Sequence, residues 1–291
     1  METLDDKITN YEKFISRTLT HVRSVEFGSL VERSLIGELI THLVIRNNYI
    51  RVSSTAIVDD FFNEIGEMFS NKEAAKNFLG LAGDKPSRRL ADSIAEILSE
   101  RQNEINASGL SDLQANELAF YLLKSNFEQL HQTLQPLVNA LPLAKEQASE
   151  IAANSQKRGM ELELSPAQRV ERMMEFEWRV VEATRDLILP DCVAISMLKD
   201  GTAAPLMLSG FDDVAHILMP VSKDRILVGT HSSKFDLPEE INFMTSCCSW
   251  DFFIAPSKSH EFIDLRKNIR VHMQYFSKQL VKGAIASATE D

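Results

Sequence analysis

Cysteine is scarce: three in 291 residues, Cys192 and the adjacent pair Cys247 and Cys248. Adjacent cysteines close too tight a loop for sound disulfide geometry. An odd, sparse count in a chain of this length excludes a disulfide-stapled secreted fold. Glycine (11) and proline (9) together fall below average usage, which excludes collagen-like and low-complexity chains. The opening residues, Met1-Glu2-Thr3-Leu4-Asp5-Asp6, have neither the basic nor the apolar segment of a secretory signal. No run approaches the roughly 18 apolar residues that span a bilayer; the most apolar stretch, Leu187 to Leu198, is interrupted by Pro190 and Asp191. These absences lead to the expectation of a cytoplasmic protein with no membrane partner. Positive charge is also in the minority. Lys and Arg number 31 against 42 Asp and Glu, a net charge of −11, so no overall field favours nucleic acid or an anionic membrane.

Several chemical signatures are missing as well. No Gly-x-x-x-x-Gly-Lys, Gly-x-Gly-x-x-Gly or Gly-x-Ser-x-Gly occurs, which weighs against P-loop, dinucleotide-binding and α/β-hydrolase chemistry. The seven histidines form no His-x-x-x-His pair, and there is no Cys-x-x-Cys, so zinc-site spacing is lacking. The sequence implies neither a cofactor nor a metal.

The positive signal is mainly helical periodicity. Leu4, Ile8, Tyr11, Ile15, Leu19 and Val22 recur every three or four residues, one stripe of an amphipathic helix. A second helix is expected from Phe27 to Val44, ended by Asn47-Asn48, and a third capped by Ser53-Ser54. Asp84-Lys85-Pro86 opens a fourth, closed by Ser108-Gly109. Ser111 and Gln114 fit a capping box for a fifth, and Pro136 and Pro142 bend or divide the segment beyond Leu130. Residues 144–161 suit a solvated helix or a connector. Ser165-Pro166-Ala167-Gln168 is a strong helix start.

At Trp178 the pattern changes. Trp178-Arg179-Val180-Val181, Leu187 to Leu189, Val193 to Ile195, Pro205 to Leu208, His216 to Met219, Arg225 to Gly229 and Trp250 to Ile254 are short apolar runs between turn signals. They predict a small, mostly antiparallel sheet. Pro238 opens a short helix, and a last helix is expected from about His260 to Gly283. The class is α+β: a helical part, residues 1–177, and an α+β part, residues 178–291. No Gly/Ser/Pro-rich linker separates the two, so one shared core is expected.

Three segments resemble a bacterial domain-of-unknown-function family, 4238: Leu39-Ile40-Thr41-His42-Leu43-Val44-Ile45-Arg46; Trp178-Arg179-Val180-Val181 with Leu189-Pro190-Asp191-Cys192-Val193; and Ile217 through Gly229. The resemblance covers roughly residues 25–270. The family's opening His-x-x-Pro-x-x-Tyr-Leu motif is absent, and Val193 stands where the family has proline. If the family's His and Asp form a site, this chain keeps only Asp191. The resemblance implies a fold and no activity.

Asp191 is the most chemically interesting carboxylate: either a metal ligand or general acid/base on a turn between strands, or an Asx-type turn residue bonding nearby N–H groups. The nuclease pattern that places an acid-x-Lys strand after Pro-Asp fails here. Lys199 comes two residues after Met197 and Lys223 two after Val221, neither able to hold Mg²⁺. His216 and His231, on or after neighbouring predicted strands, either join Asp191 or Asp213 in a polar cluster or are ordinary strand-end histidines. Cys247 and Cys248 read as buried small apolar groups, since no neighbouring base or pKa-lowering feature is evident. From Lys258 to Lys282 six basic and two acidic residues give a local net of +4. There Arg266, Lys267, Arg270 and Lys278 either contact nucleic acid or an acidic partner, or form a solvated, dipole-favoured helix end. Two functions are compatible with these residues. One is a non-enzymatic interaction module with a protein partner or a second copy of itself, of the kind found in bacterial defence or toxin operons. The other is a degenerate or unconventional hydrolase or nuclease centred on Asp191 with His216 or His231.

Overall fold

The N-terminal stripe forms α1 (Leu4–Ser24). In this computed structural model, which describes residues 4–162, 166–232 and 235–287, the chain next turns at Gly28, where φ is +82°. It then makes β1 (Leu30–Val31) and α2 (Arg33–Arg46). The second helix therefore starts later than its apolar spacing predicts. Leu30 and Val31 are drawn into pairing with Arg179 and Trp178, and tertiary pairing overrides local periodicity. Helix α3 (Asn48–Ser70) starts one residue after Asn47. Ser53 is inside it, its hydroxyl donating to the Ile50 carbonyl at 3.1 Å, rather than capping it.

Next come α4 (Lys72–Phe78), α5 (Arg88–Ser99), α6 (Gln102–Ser108), α7 (Asp112–Ser125) and α8 (Phe127–Leu162). The expected capping box is present: Ser111 and Gln114 each satisfy the other's backbone N–H. The expected fourth helix is two, α5 and α6, with Ser87 capping the first. Pro136 and Pro142 do not divide α8; each proline removes only one ladder bond, and residues 144–161 are helical. Helix α9 (Ala167–Met174) is next, and its expected cap, Ser165, lies outside the described residues.

The strands are β2 (Glu177–Glu182), β3 (Leu189–Pro190), β4 (Ile195–Leu198), β5 (Ala203–Pro205), β6 (Val214–Pro220) and β7 (Arg225–Thr230). After them come α10 (Ile241–Cys248), β8 (Phe253–Ile254), α11 (His260–Leu265) and α12 (Val271–Ser287). The class is α+β. One antiparallel sheet runs β1-β2-β7-β6-β4-β5, and β3 and β8 form a separate antiparallel pair. Leu206–Leu208 is a 3₁₀ turn rather than strand. The expected single last helix is broken: a 3₁₀ turn covers Arg266–Asn268, and Arg270 has φ +74°.

The chain forms two compact units, Met1–Ala56 with Glu150–Ser277, and Ile57–Ser149 with Lys278–Asp291. Trp178 lies inside the first, where the strand-rich stretch begins. In this unit Trp178 and Val180 of β2, Ile217 and Met219 of β6, and Leu227 of β7 face a core completed by Ile15 and Val22 of α1, Ile36, Leu39 and Ile40 of α2, and Met173 of α9. Alternate residues Leu218, Ile226 and Val228 are also fully buried, so the central strands are covered on both faces. The second unit has its own core of Ala75, Leu81, Ile94, Phe120 and Phe127.

Candidate functional site

Pro190 ends β3, and Asp191 opens the connection from β3 to β4. The Asp191 carboxylate accepts three successive backbone N–H groups: Trp250 at 2.8 Å, Asp251 at 2.6 Å and Phe252 at 3.1 Å. Return bonds complete the clamp. Asp191 N–H donates to the Phe252 carbonyl at 3.3 Å, and Asn47 Nδ2 donates to the Asp191 carbonyl. Asn47 is fixed in turn, its Oδ1 accepting from Tyr49 N–H at 2.9 Å. Gln156 Nε2 donates to the carbonyls of Ile45 (2.6 Å) and Asn47 (2.7 Å), satisfying the orphan end of α2. Burial raises the Asp191 carboxyl above its ordinary value, and the three N–H donors oppose that rise.

Backbone strain is concentrated at this clamp. Among the described residues only Val193 (φ +70°) and Arg270 (φ +74°) are non-glycine residues at positive φ. Ala194 N–H donates to the Cys192 carbonyl at 2.8 Å, so Val193 is the centre of the strained, positive-φ kind of γ-turn. Arg270 holds the other side. Its guanidinium lies 4.8 Å over the Trp250 ring, donates to the Trp250 carbonyl at 2.7 Å and pairs with Asp251 at 2.5 Å. Its N–H donates to the Ser249 carbonyl at 2.8 Å. These four contacts hold the backbone in a conformation that breaks the expected last helix.

Beside the clamp is a cavity of about 380 Å³, within the usual ligand-pocket range of roughly 300–1,000 Å³. Its walls are apolar: Leu43, Tyr49, Val52, Met219, Trp250 and Phe252 among them. Arg23 of α1 lies on its border, Nε donating to the Val221 carbonyl at 2.7 Å. Beneath it, the Tyr49 hydroxyl donates toward the Cys248 carbonyl at 3.2 Å and touches Met273 Sδ at 3.4 Å. Burial, with Cys192, Cys248 and Asp191 nearby, raises the Tyr49 hydroxyl well above its ordinary value.

The histidines are elsewhere. His216 is four residues before Pro220 on β6, and only the Pro220 end of that strand reaches the cavity; at about 3.3 Å per residue the gap is roughly 13 Å along the strand. His216 Nδ1 is 3.0 Å from Thr230 Oγ1, and the His231 ring lies tilted against Phe176, centroids 4.1 Å apart. His216 faces Thr230, the residue before His231, in the β6–β7 register, and burial and then His231 lower the His216 pKa. The structure therefore sets His216 across from the residue before His231, and neither histidine at Asp191. No group of three or more His, Cys, Asp or Glu among the described residues is arranged to hold a metal ion.

Three of the basic residues, Arg266, Lys267 and Arg270, line one open recess together with Asp251 and Asp264. Arg266 and Lys267 are in the 3₁₀ turn, with Lys267 paired to Asp264 at 3.4 Å. Arg270 is committed to Trp250 and Asp251, and Lys278 belongs to the second compact unit. All three cysteines are free and buried. Sequence reasoning missed that Cys248 Sγ is 3.7 Å from His272 Nδ1. Burial nonetheless raises the Cys248 thiol well above its ordinary value and lowers His272, so the pair holds a neutral thiol beside a neutral ring. Arg23, Tyr49 and Val52 gave no sequence signal beyond helical spacing; the Asn47-Asn48 dipeptide was the one local hint. Comparison with protein-family models, with curated proteins and with solved structures finds no match to this chain. Among the described residues no helix is long and apolar enough to cross a membrane.

Proposed function

We propose that this protein is a non-enzymatic interaction module whose recognition site is the cavity beside Asp191, and that it is a divergent relative of domain-of-unknown-function family 4238. One observation carries the functional reading: both oxygens of the Asp191 carboxylate are engaged by backbone N–H groups. A general base must present a lone pair to the substrate, and this carboxylate commits three of its roughly four acceptor sites to holding the 250–252 turn in place. The hydrolase reading also needs His216 or His231 at that carboxylate, and both lie toward the far end of β6 and β7. An apolar cavity with few polar groups binds by shape and burial.

The test pairs activity with binding. Purified protein is assayed against RNA, DNA and simple phosphodiester and ester substrates, beside Asp191→Asn and Asp191→Ala. No turnover is expected from any of the three. Asp191→Ala should lose about 1–3 kcal/mol of stability, because it removes three hydrogen bonds to a charged acceptor at a partly exposed turn, and Asp191→Asn less. Turnover that vanishes in an Asp191→Asn variant with unchanged circular dichroism and melting would overturn the reading. In a thermal-shift screen of small molecules, hits should raise the melting temperature of the wild type and leave Val52→Trp, which fills the cavity, unmoved.

A further inference from the structure

The apolar cavity has charged groups of both signs in its lining, Asp191 and Asp251 in the clamp and Arg23 of α1 on the border. Arg23 uses only Nε, on the Val221 carbonyl; its two terminal nitrogens have no hydrogen-bond partner among the described residues. A shallower recess of about 180 Å³ shares Arg23, Leu189, Pro220, Val221 and Ile254 with the main cavity and adds Lys223. No carboxylate among the described residues pairs with Arg23 or Lys223. The acids nearby are already engaged: Asp191 by three N–H groups, Asp251 by Arg270, and Asp224 by the Ser222 hydroxyl at 2.6 Å. Arg23 and Lys223, neither in an ion pair among the described residues, line one recess at the edge of the apolar cavity, and two cations so placed complement a negative head. The shared rim is itself apolar and accessible, with Leu189 38% and Ile254 59% exposed.

We infer that this cavity takes a small anionic amphiphile, with its apolar body between Val52, Met219 and Trp250 and its carboxylate at the Arg23–Lys223 rim. The inference rests on reading the cavity as the recognition site and adds the class of ligand. The volume favours a free small molecule over a macromolecular segment, being near the bottom of the ligand-pocket range. A guanidinium whose two terminal nitrogens are free offers one bidentate edge to a carboxylate, which an ammonium cannot.

The experiment titrates the full chain with decanoate, decanol and decylammonium by calorimetry. Trp250 emission serves as a second signal, since Trp250 lines the cavity while Trp178 is fully buried. Decanoate should bind one to one and more tightly than the other two. Arg23→Gln should weaken decanoate about tenfold and leave decanol unchanged. Val52→Trp, and separately the exposed-site Ile254→Trp, should reduce binding of every probe, with circular dichroism confirming the fold. Equal binding of the three probes, all blocked by Val52→Trp, would overturn the anionic class and leave the recognition site standing. No binding of any probe to folded protein would overturn the inference itself. Turnover of an ester analogue at the cavity would instead overturn the non-enzymatic reading.

Discussion

Val193 shows most sharply how a single residue is overruled by its surroundings. A β-branched side chain at φ +70° costs on the order of 1–3 kcal/mol and persists only where the neighbours over-determine it. Here they do: Asp191 is clamped to residues 250–252 on one side, and β4 begins at Ile195 on the other. At an ordinary position alanine is more stable than glycine by about 0.5–1 kcal/mol. At Val193 that order should invert. Val193→Ala and Val193→Gly lose nearly the same apolar contact, but only glycine accepts the left-handed backbone without strain. Val193→Gly should therefore be the more stable of the two by about 1 kcal/mol, measured by urea denaturation. An alanine variant equal to or better than the glycine variant would show that the turn is unstrained. The Asp191 side chain was legible in part: the Asx-type alternative describes its geometry. That its partners would be three consecutive N–H groups some 60 residues away was not legible, since a carboxylate carries no mark of which distant amides it will meet.

At the scale of elements, short-range chemistry was read well and long-range pairing poorly. The Ser111–Gln114 capping box and the β6–β7 hairpin across Ser222-Lys223-Asp224 are encoded within a few residues of where they act. β1 was hidden inside a helical pattern because its only support is β2, nearly 150 residues on. The last helix was read as continuous because its break at Arg270 is held by Trp250 and Asp251, which local periodicity does not see. The contact of β2 with β7 makes a sharper test. Trp178 pairs across the sheet with Gly229, and a Cβ added at Gly229 would come within 2.7–2.9 Å of three Trp178 ring carbons. Trp178 is fully buried, with Nε1 donating to the Met173 carbonyl at 3.0 Å, so it has no room to retreat. Gly229→Ala should cost about 1–3 kcal/mol by overpacking. In a double-mutant cycle with Trp178→Phe, which removes the ring atoms involved, much of that cost should disappear. Additive losses would mean that the glycine is not there for the tryptophan.

For the molecule as a whole, the groups with shifted pKa values set how stability responds to pH, and their signs differ. His216 and His272 are both lowered from 6.5, in each case chiefly by burial. His216 is lowered further by His231, while a hydrogen bond to the Ala203 backbone partly offsets the effect at His272. For a base depressed in the folded state, the unfolded chain takes up protons first. The stability is thus fully present above the unfolded value of about 6.5, and is lost as pH falls from there through the folded value. Asp191 works the other way at lower pH. Its folded value is raised above 3.8, chiefly by burial, so the folded state binds the proton first and stability is regained as pH falls between its folded value and 3.8. The background charge of −11 also shrinks on acidification as the pI of 5.2 is approached, easing self-repulsion. Comparing wild type with His272→Gln cancels that background, because both proteins share it. The wild type should lose more stability than His272→Gln between about pH 7.5 and about pH 5.5, the window that brackets an unperturbed histidine, when both are followed by urea midpoints. His272 would be the wrong group if the two proteins lost equal stability over that window; a larger loss in the variant would mean that the imidazole is protonated, not neutral, against the Cys248 thiol.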